Sequence, residues 1–410
     1  MRIVDVQTLL LRAPEPRDYW GKEAWRGDYG ESVRGASGDL SRSYPQRWRI
    51  RHQWDGAINA LLVRVVTDDG IVGYGESKAV VSGHAIKEHV DGPLRNAAMG
   101  QDPLHTRVLW DRYMALMRGR GHLQGFHQEA AAGLDIACWD IAAKVAGRPL
   151  CDVLGGRYHA ELPVYFSGFA GVRDATSDDQ AEALATAVRG AVKDGYTAGK
   201  IAIGHGKLAD LRSVDIVREV AGEQFAIMVD ALSAYNYPDA LWLGQAFADR
   251  GVAWFETPIA PDNIDGYVSL SRRLPIAITS DLLWTTGLVK EMVRRGGQVV
   301  PQPEVIKVGI TECRRIAELA DIYDLPYAPH CSIGSAVQFA ATYHVGVAAP
   351  NLLISEQWAN PNPFGNGILR QPYRIENSML SLPGGPGLGI EFDFERLRPY
   401  VVAGSWDELA

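Results

Sequence analysis

The segment from Phe225 to His330 contains five apolar, β-favouring runs, each ending in a titratable residue. They are FAIMVD (225–230), VAWFE (252–256), PIAITSD (275–281), QVVPQPE (298–304) and LPYAPH (325–330). Each run is followed by a helical stretch, so each polar terminus belongs at the carboxyl end of a parallel strand, which in an α/β barrel is the catalytic face. The intervals are 256−230 = 26, 281−256 = 25, 304−281 = 23 and 330−304 = 26 residues, about one strand, one helix and two loops. Adjacent strands would thus present Asp230, Glu256, Asp281, Glu304 and His330 side by side.

Outward from this core the alternation continues, with strands at LPVYF (162–166), GKIAI (199–203) and LLISE (352–356), and helices such as 177–195 and 311–324. Eight strands linked by right-handed βα crossovers predict a closed parallel sheet. HQEAAAGLDIACWDIAAKVAG (127–147) reads as a helix with Leu134, Cys138, Ile141, Ala142 and Val145 on one face, ended by Gly147. Before it, MRIVDVQTLLLR alternates like a strand, and INALLVRVVTDDGIVGYGE (58–76) reads as a hairpin turning at Asp69-Gly70. Helical stretches follow over 84–98 and 103–117. The predicted organisation is an α+β capping domain over 1–125, a barrel over 126–370, and a Pro/Gly-rich segment over 371–410 that returns to the cap.

The 410 residues exceed what one core usually fills, consistent with two domains. A net charge of −8 gives no electrostatic reason to expect nucleic acid. The opening run is too short and too alternating for a signal peptide or anchor, and no apolar run reaches about 18 residues. No membrane association and a cytoplasmic location are expected. The four cysteines have no CxxC spacing and read as reduced thiols.

Three carboxylates converging from neighbouring strands repel unless a cation lies between them. One carboxylate at a strand end more often caps a helix, but Asp230, Glu256 and Asp281 in succession point to a divalent ion. All-oxygen ligation favours Mg²⁺ over zinc. Glu304 and His330 end the next two strands, close enough for the carboxylate to hold the imidazole in one tautomer and make it a general base or acid. Glu356 is a candidate for hydrogen bonding or proton donation to substrate. Lys200 either points into the same mouth or is a solvated rim lysine.

These residues resemble the enolase superfamily, specifically its mandelate racemase subgroup. The likeness runs through TDDGIVGYGE (67–76), LDIACWDIAAKVAGRPLCDVLGG (134–156), the VD, FETP, SD, QPE and PHCSIGS strand ends, and PGLGIEFD (386–393). It implies an α+β cap on a modified (β/α)7β TIM-like barrel, and abstraction of a proton α to a carboxylate by a Lys or His base with Mg²⁺ stabilising the enediolate. Asp230, Glu256 and Asp281 match its metal ligands, Asp281 standing where many members have Glu. His330 matches the dyad histidine, and Glu304 takes the place usually held by Asp. Lys200 matches the first lysine of a K-x-K strand end whose second lysine is Ala202 here, and Leu232 replaces an Asn common in the family.

With one competent group, His330, and a methyl group at Ala202, the expected reaction is dehydration of an acid sugar to a 2-keto-3-deoxy acid. A racemase or epimerase of a 2-hydroxy acid, or a noncatalytic acid-sugar binding protein, are the alternatives. Residues Ala13 to Trp54 carry Arg17, Arg26, Arg34, Arg42, Arg47, Arg49 and Arg51 with Trp20, Trp25, Trp48 and Trp54. They read as a lid over an anionic sugar or as contacts in a homo-oligomer, a common assembly in the family.

Overall fold

Alternation in the first strand is realised as β1 (Ile3–Pro14), which pairs antiparallel with β2 (Ala57–Thr67) from Ile3↔Thr67 to Pro14↔Ala57. A turn at Asp69-Gly70, with Gly70 at φ 82°, leads into β3 (Val72–Ser77). The computed structural model describes residues 1–14, 57–281, 285–382 and 384–409. Nearly all of the sequence read as a lid, from residue 15 to Trp54, lies outside those residues.

Period 2 sorts the cap strands between two cores. Val6, Leu10, Leu61, Val63 and Val65 face the helices at Thr106–Arg118 and Phe126–Val145, while Leu9, Leu11, Ala60 and Leu62 join the cluster that continues into the barrel. The Phe126–Val145 helix departs from its predicted face. Ala130, Ala131, Ala132, Leu134, Ile136, Ala137, Cys138, Ile141 and Ala143 are all buried, Ala142 is half-buried, and Val145 is 42% exposed. The helix lies between cap sheet and barrel, so burial on both sides replaces a single stripe.

β3 rests on this helix at backbone distance. A Cβ on Gly75 would sit 1.9 Å from the Gly133 carbonyl oxygen, and one on Gly73 would sit 2.2 Å from that of Ala137. Gly75→Ala is therefore expected to force sheet and helix apart and to cost about 1–3 kcal/mol, read from denaturant unfolding. A change within about 0.5 kcal/mol would contradict this close packing.

The barrel strands are β4 (Leu162–Ala170), β5 (Ala198–Ala202), β6 (Ala226–Asp230), β7 (Val252–Glu256), β8 (Ala277–Ser280), β9 (Val300–Pro301) and β10 (Ser355–Trp358). They pair parallel in that order from β4 to β9, and β10 pairs parallel with β4. Between β9 and β10 the predicted strand LPYAPH appears only as bridges, Glu304↔His330 and Tyr327↔Leu352. Pro326 and Pro329 have no N–H to give to a ladder. Its remaining donors and acceptors still close the barrel: Ala328 N to Pro301 O at 3.2 Å, His330 N to Pro303 O at 3.1 Å and Glu356 N to Pro329 O at 3.1 Å.

The C-terminal segment divides. β11 (Arg374–Glu376) and β12 (Met379–Ser381) form a hairpin against β4, and β13 (Val401–Gly404) pairs with β1 in the cap. Among the described residues, no helix is long and apolar enough to cross a membrane.

Candidate active site

Tyr165, Ala198, Met228, Trp254, Val300 and Ala328 fill the barrel as one apolar layer. Two residues further along the same strands stand Ser167, Lys200, Asp230, Glu256, Gln302 and His330. Because a strand repeats every second residue, the side chains that plug the barrel fix the direction of the polar ones above them. Ile354, packed against the layer, does the same for Glu356.

Asp230 and Glu256 are register partners on β6 and β7, and Glu256 pairs with Thr279 on β8. Asp281 thus lies one side-chain step beyond its neighbours and reaches back, accepting from Thr257 Oγ1 at 3.0 Å. Leu232, Ser233 and Thr257 beside it have φ of 50°, 65° and 41°. These are left-handed conformations that cost non-glycine residues energy and concentrate at functional sites.

Lys200 is 3% exposed, which excludes the solvated-rim reading. Its Nζ lies 2.8 Å from Glu256 Oε1, 3.0 Å from Glu356 Oε1 and 4.0 Å from Asp230 Oδ2. Burial alone would favour the neutral amine, but Glu256 and Glu356 hold the ammonium well above the usual lysine range. Glu256 Oε2 accepts from Gln302 Nε2 at 2.9 Å, and Asp230 Oδ1 accepts from the Leu232 N–H at 2.9 Å.

His330 connects two carboxylates. Nδ1 lies 3.0 Å from Glu304 Oε2 and Nε2 lies 2.9 Å from Glu356 Oε2. Burial pulls the imidazolium down, yet Glu356 and Glu304 outweigh it and push the pKa up to about 10. Burial likewise opposes ionisation of Glu304, but Lys307, Lys78 and His330 hold it well below the carboxylate range. When the ring is charged, both of its N–H groups face carboxylates, Nδ1–H towards Glu304 and Nε2–H towards Glu356.

Two further cations complete the site, and neither was read from the sequence. Lys307 Nζ lies 2.9 Å from Glu304 Oε2 and 3.1 Å from Asp281 Oδ2. Lys78, just past β3, places Nζ 2.6 Å from Glu304 Oε1. Lys307 could have been found as the i,i+3 neighbour of Glu304 at a helix start. Lys78 carries no local signal, being 226 residues from its partner.

The three carboxylates assigned to a cation sit on successive strand ends. Among the described residues, no three His, Cys, Asp or Glu side chains are gathered into a metal cage; here the three lean towards Lys200 and Lys307. Burial raises the Asp230 carboxyl well above its usual range, with the charge of Glu256 adding to the effect and that of Asp281 contributing too. That repulsion, and an all-oxygen donor set, fit a hard divalent ion.

A parallel barrel with carboxylates, a lysine and a carboxylate–histidine pair at its strand ends defines the catalytic face of an enzyme. Residues 183–397 match the Enolase C-terminal domain-like family, and residues 55–155 match the Mandelate racemase / muconate lactonizing enzyme, N-terminal domain. The chain belongs to the enolase superfamily, in its mandelate racemase subgroup. It is 32% identical over 350 residues to D-galactarolactone cycloisomerase from Agrobacterium fabrum, covering 83% of this chain and 90% of that one. It is 30% identical over 332 residues to arabinonate dehydratase from Saccharolobus solfataricus, covering 79% and 86%. A crystal structure of an enolase superfamily member from Agrobacterium tumefaciens superposes with a TM-score of 0.83 at 25% identity, over 98% and 99% of the two chains.

Proposed function

We propose that the protein is a Mg²⁺-dependent hydro-lyase that dehydrates an aldonate or aldarate to a 2-keto-3-deoxy acid. The observation that carries this reading is the one-sidedness of the acid/base equipment. His330 stands on one wall, while Ala202, the register partner of Asp230, offers a methyl group on β5 where a second base would be needed. Racemisation requires groups on both faces of the α-carbon; elimination on one face does not.

Asp230, Glu256 and Asp281 would hold the cation, which supplies charge neutralisation on the substrate carboxylate as its α-proton leaves. Lys200, kept cationic by Glu256 and Glu356, adds positive charge at the same carboxylate. Base function needs a neutral ring with a free nitrogen, and Glu304 already occupies Nδ1. Nε2 is therefore the reacting atom; as substrate enters, its proton passes to Glu356 Oε2 at 2.9 Å, and the protonated carboxyl turns away towards Lys200, which lies 3.0 Å from its other oxygen. Nε2 then accepts the α-proton, the β-carbon–oxygen bond breaks, and the same imidazolium protonates the departing hydroxyl to give water. The enol tautomerises to the keto acid. In this reading the partner is a small acid sugar, and the working particle is a homo-oligomer.

The similarity to a lactone cycloisomerase favours a second reading, in which the departing β-oxygen belongs to a lactone ring and no water forms. Incubating the protein with Mg²⁺ and a set of aldonates, aldarates and their lactones separates the two. The expected result is a 2-keto-3-deoxy product from an open-chain acid. Turnover of lactones alone would replace dehydration with cycloisomerisation, and epimers without keto acid would remove both.

A further inference from the structure

Glu304 is fully buried, and cationic groups reach it from three directions: His330 and Lys307 within the barrel and Lys78 from the capping sheet. The two oxygens divide the work. Oε2 is shared between His330 Nδ1 at 3.0 Å and Lys307 Nζ at 2.9 Å. Oε1 takes Lys78 Nζ at 2.6 Å, Gln338 Nε2 at 2.7 Å and Ser332 Oγ at 3.1 Å. A glutamate has three rotatable side-chain bonds, so the oxygen turned to His330 is only as fixed as the oxygen turned away from it.

Lys78 is itself fixed. Its Nζ also donates to Ser332 Oγ at 2.6 Å and to the Ile333 carbonyl at 3.1 Å, and its backbone N–H donates to the Ile306 carbonyl at 3.0 Å. Two residues earlier, and so on the same side of the strand, Glu76 accepts from the Ser335 N–H at 2.8 Å, Ser335 Oγ at 2.6 Å and the Gln338 N–H at 3.1 Å. One end of one cap strand thus grips both the loop after His330 and the carboxylate that orients His330.

We propose that Lys78 is a positioning residue of the Glu304–His330 dyad: its ammonium holds Glu304 Oε1 so that Oε2 faces Nδ1, and seating of the cap completes the barrel site. Lys78 bonds neither the imidazole nor Asp230, Glu256 or Asp281; it reaches His330 through Glu304 and through the loop at Ser332 and Ile333. A displacement of about 1 Å at the dyad is enough to cost roughly 10²-fold in rate.

The proposal rests on the acid-sugar dehydratase reading for its kinetic arm only. Lys78→Met should lower kcat by about 10²-fold with KM changed less than about twofold, and Lys78→Arg should restore most of the loss. The second arm uses no substrate. The far-downfield proton of His330 Nδ1–H, assigned by its absence in His330→Asn, should move upfield or broaden away in Lys78→Met and return in Lys78→Arg. If Lys78→Met does not fold, Lys78→Gln keeps a donor without the charge and should show the same displacement to a smaller degree. An unmoved proton overturns the proposal, as does a raised KM at constant kcat, which would make Lys78 a substrate-binding group. If no acid sugar turns over, the function proposed above fails while the proton signal still decides the role of Lys78.

Discussion

His330→Asn is expected to abolish dehydration, with a loss of about 10⁴-fold at the upper end of what general acid–base catalysis supplies, and to abolish α-proton exchange with it. The substitution is a clean one. An asparagine amide can still donate to Glu304 Oε2, and Lys78, Lys307 and Gln338 continue to hold that carboxylate in place. Folding should survive while proton transfer does not, since no amide has a pKa in reach of the reaction. Both activities should vanish together because the same Nε2 takes the α-proton and returns it to the leaving oxygen. In D₂O the parent enzyme should convert substrate without leaving any C2 epimer in the recovered pool, Ala202 being unable to deliver deuterium to the opposite face. Mass spectrometry and proton NMR of unreacted substrate read both outcomes. Exchange that persists in the variant, or epimer formed by the parent, would reveal a second base, and the racemase or epimerase reading would take the place of dehydration.

Which parts of the site were legible in the sequence follows from the physics of a strand. Asp230, Glu256, Glu304 and His330 each close an apolar run, and the period of two that buries Met228, Trp254 and Ala328 also dictates where the charged ends point. Asp281 followed the same logic, although it stands one step beyond the level of Thr279 and reaches back to Thr257. The parts that stayed hidden depend on contacts that local periodicity does not encode. Lys78 meets Glu304 only because the cap sheet docks on the barrel. The Phe126–Val145 helix lost its predicted face for the same reason, being covered by the cap on one side and the barrel on the other. LPYAPH read correctly as a strand position in the barrel, yet its two prolines reduce it to bridges. Lys200 was legible as a residue and ambiguous as an environment: burial among Glu256 and Glu356 can be seen only once the barrel is closed.

Removing divalent cation should silence the enzyme as completely as removing His330, and Mg²⁺ should restore it. Asp230, Glu256 and Asp281 bring three carboxylates to adjoining strand ends, while Lys200 is shared with Glu356 and Lys307 with Glu304. The two lysines therefore do not neutralise the trio, and the charges of Glu256 and Asp281 add to the burial that raises the Asp230 carboxyl. Of the three, Glu256→Gln should be the most damaging. Its carboxylate is fully buried, and its oxygens are already oriented by Lys200 at 2.8 Å and Gln302 at 2.9 Å, so the charge removed is the best placed of the set. Asp281→Asn should be milder because that side chain reaches from further along its strand. Binding can be read without turnover. A ligand at a hundred times its Kd stabilises a fold by about 2.7 kcal/mol, so saturating Mg²⁺ should raise the unfolding temperature of the parent protein, and the rise should be absent in Glu256→Gln. Full turnover in chelator would sink the metal assignment. An equal thermal shift in parent and Glu256→Gln would place the bound ion elsewhere and leave the three strand-end carboxylates as partners of Lys200, Lys307 and their neutral hydrogen-bond donors.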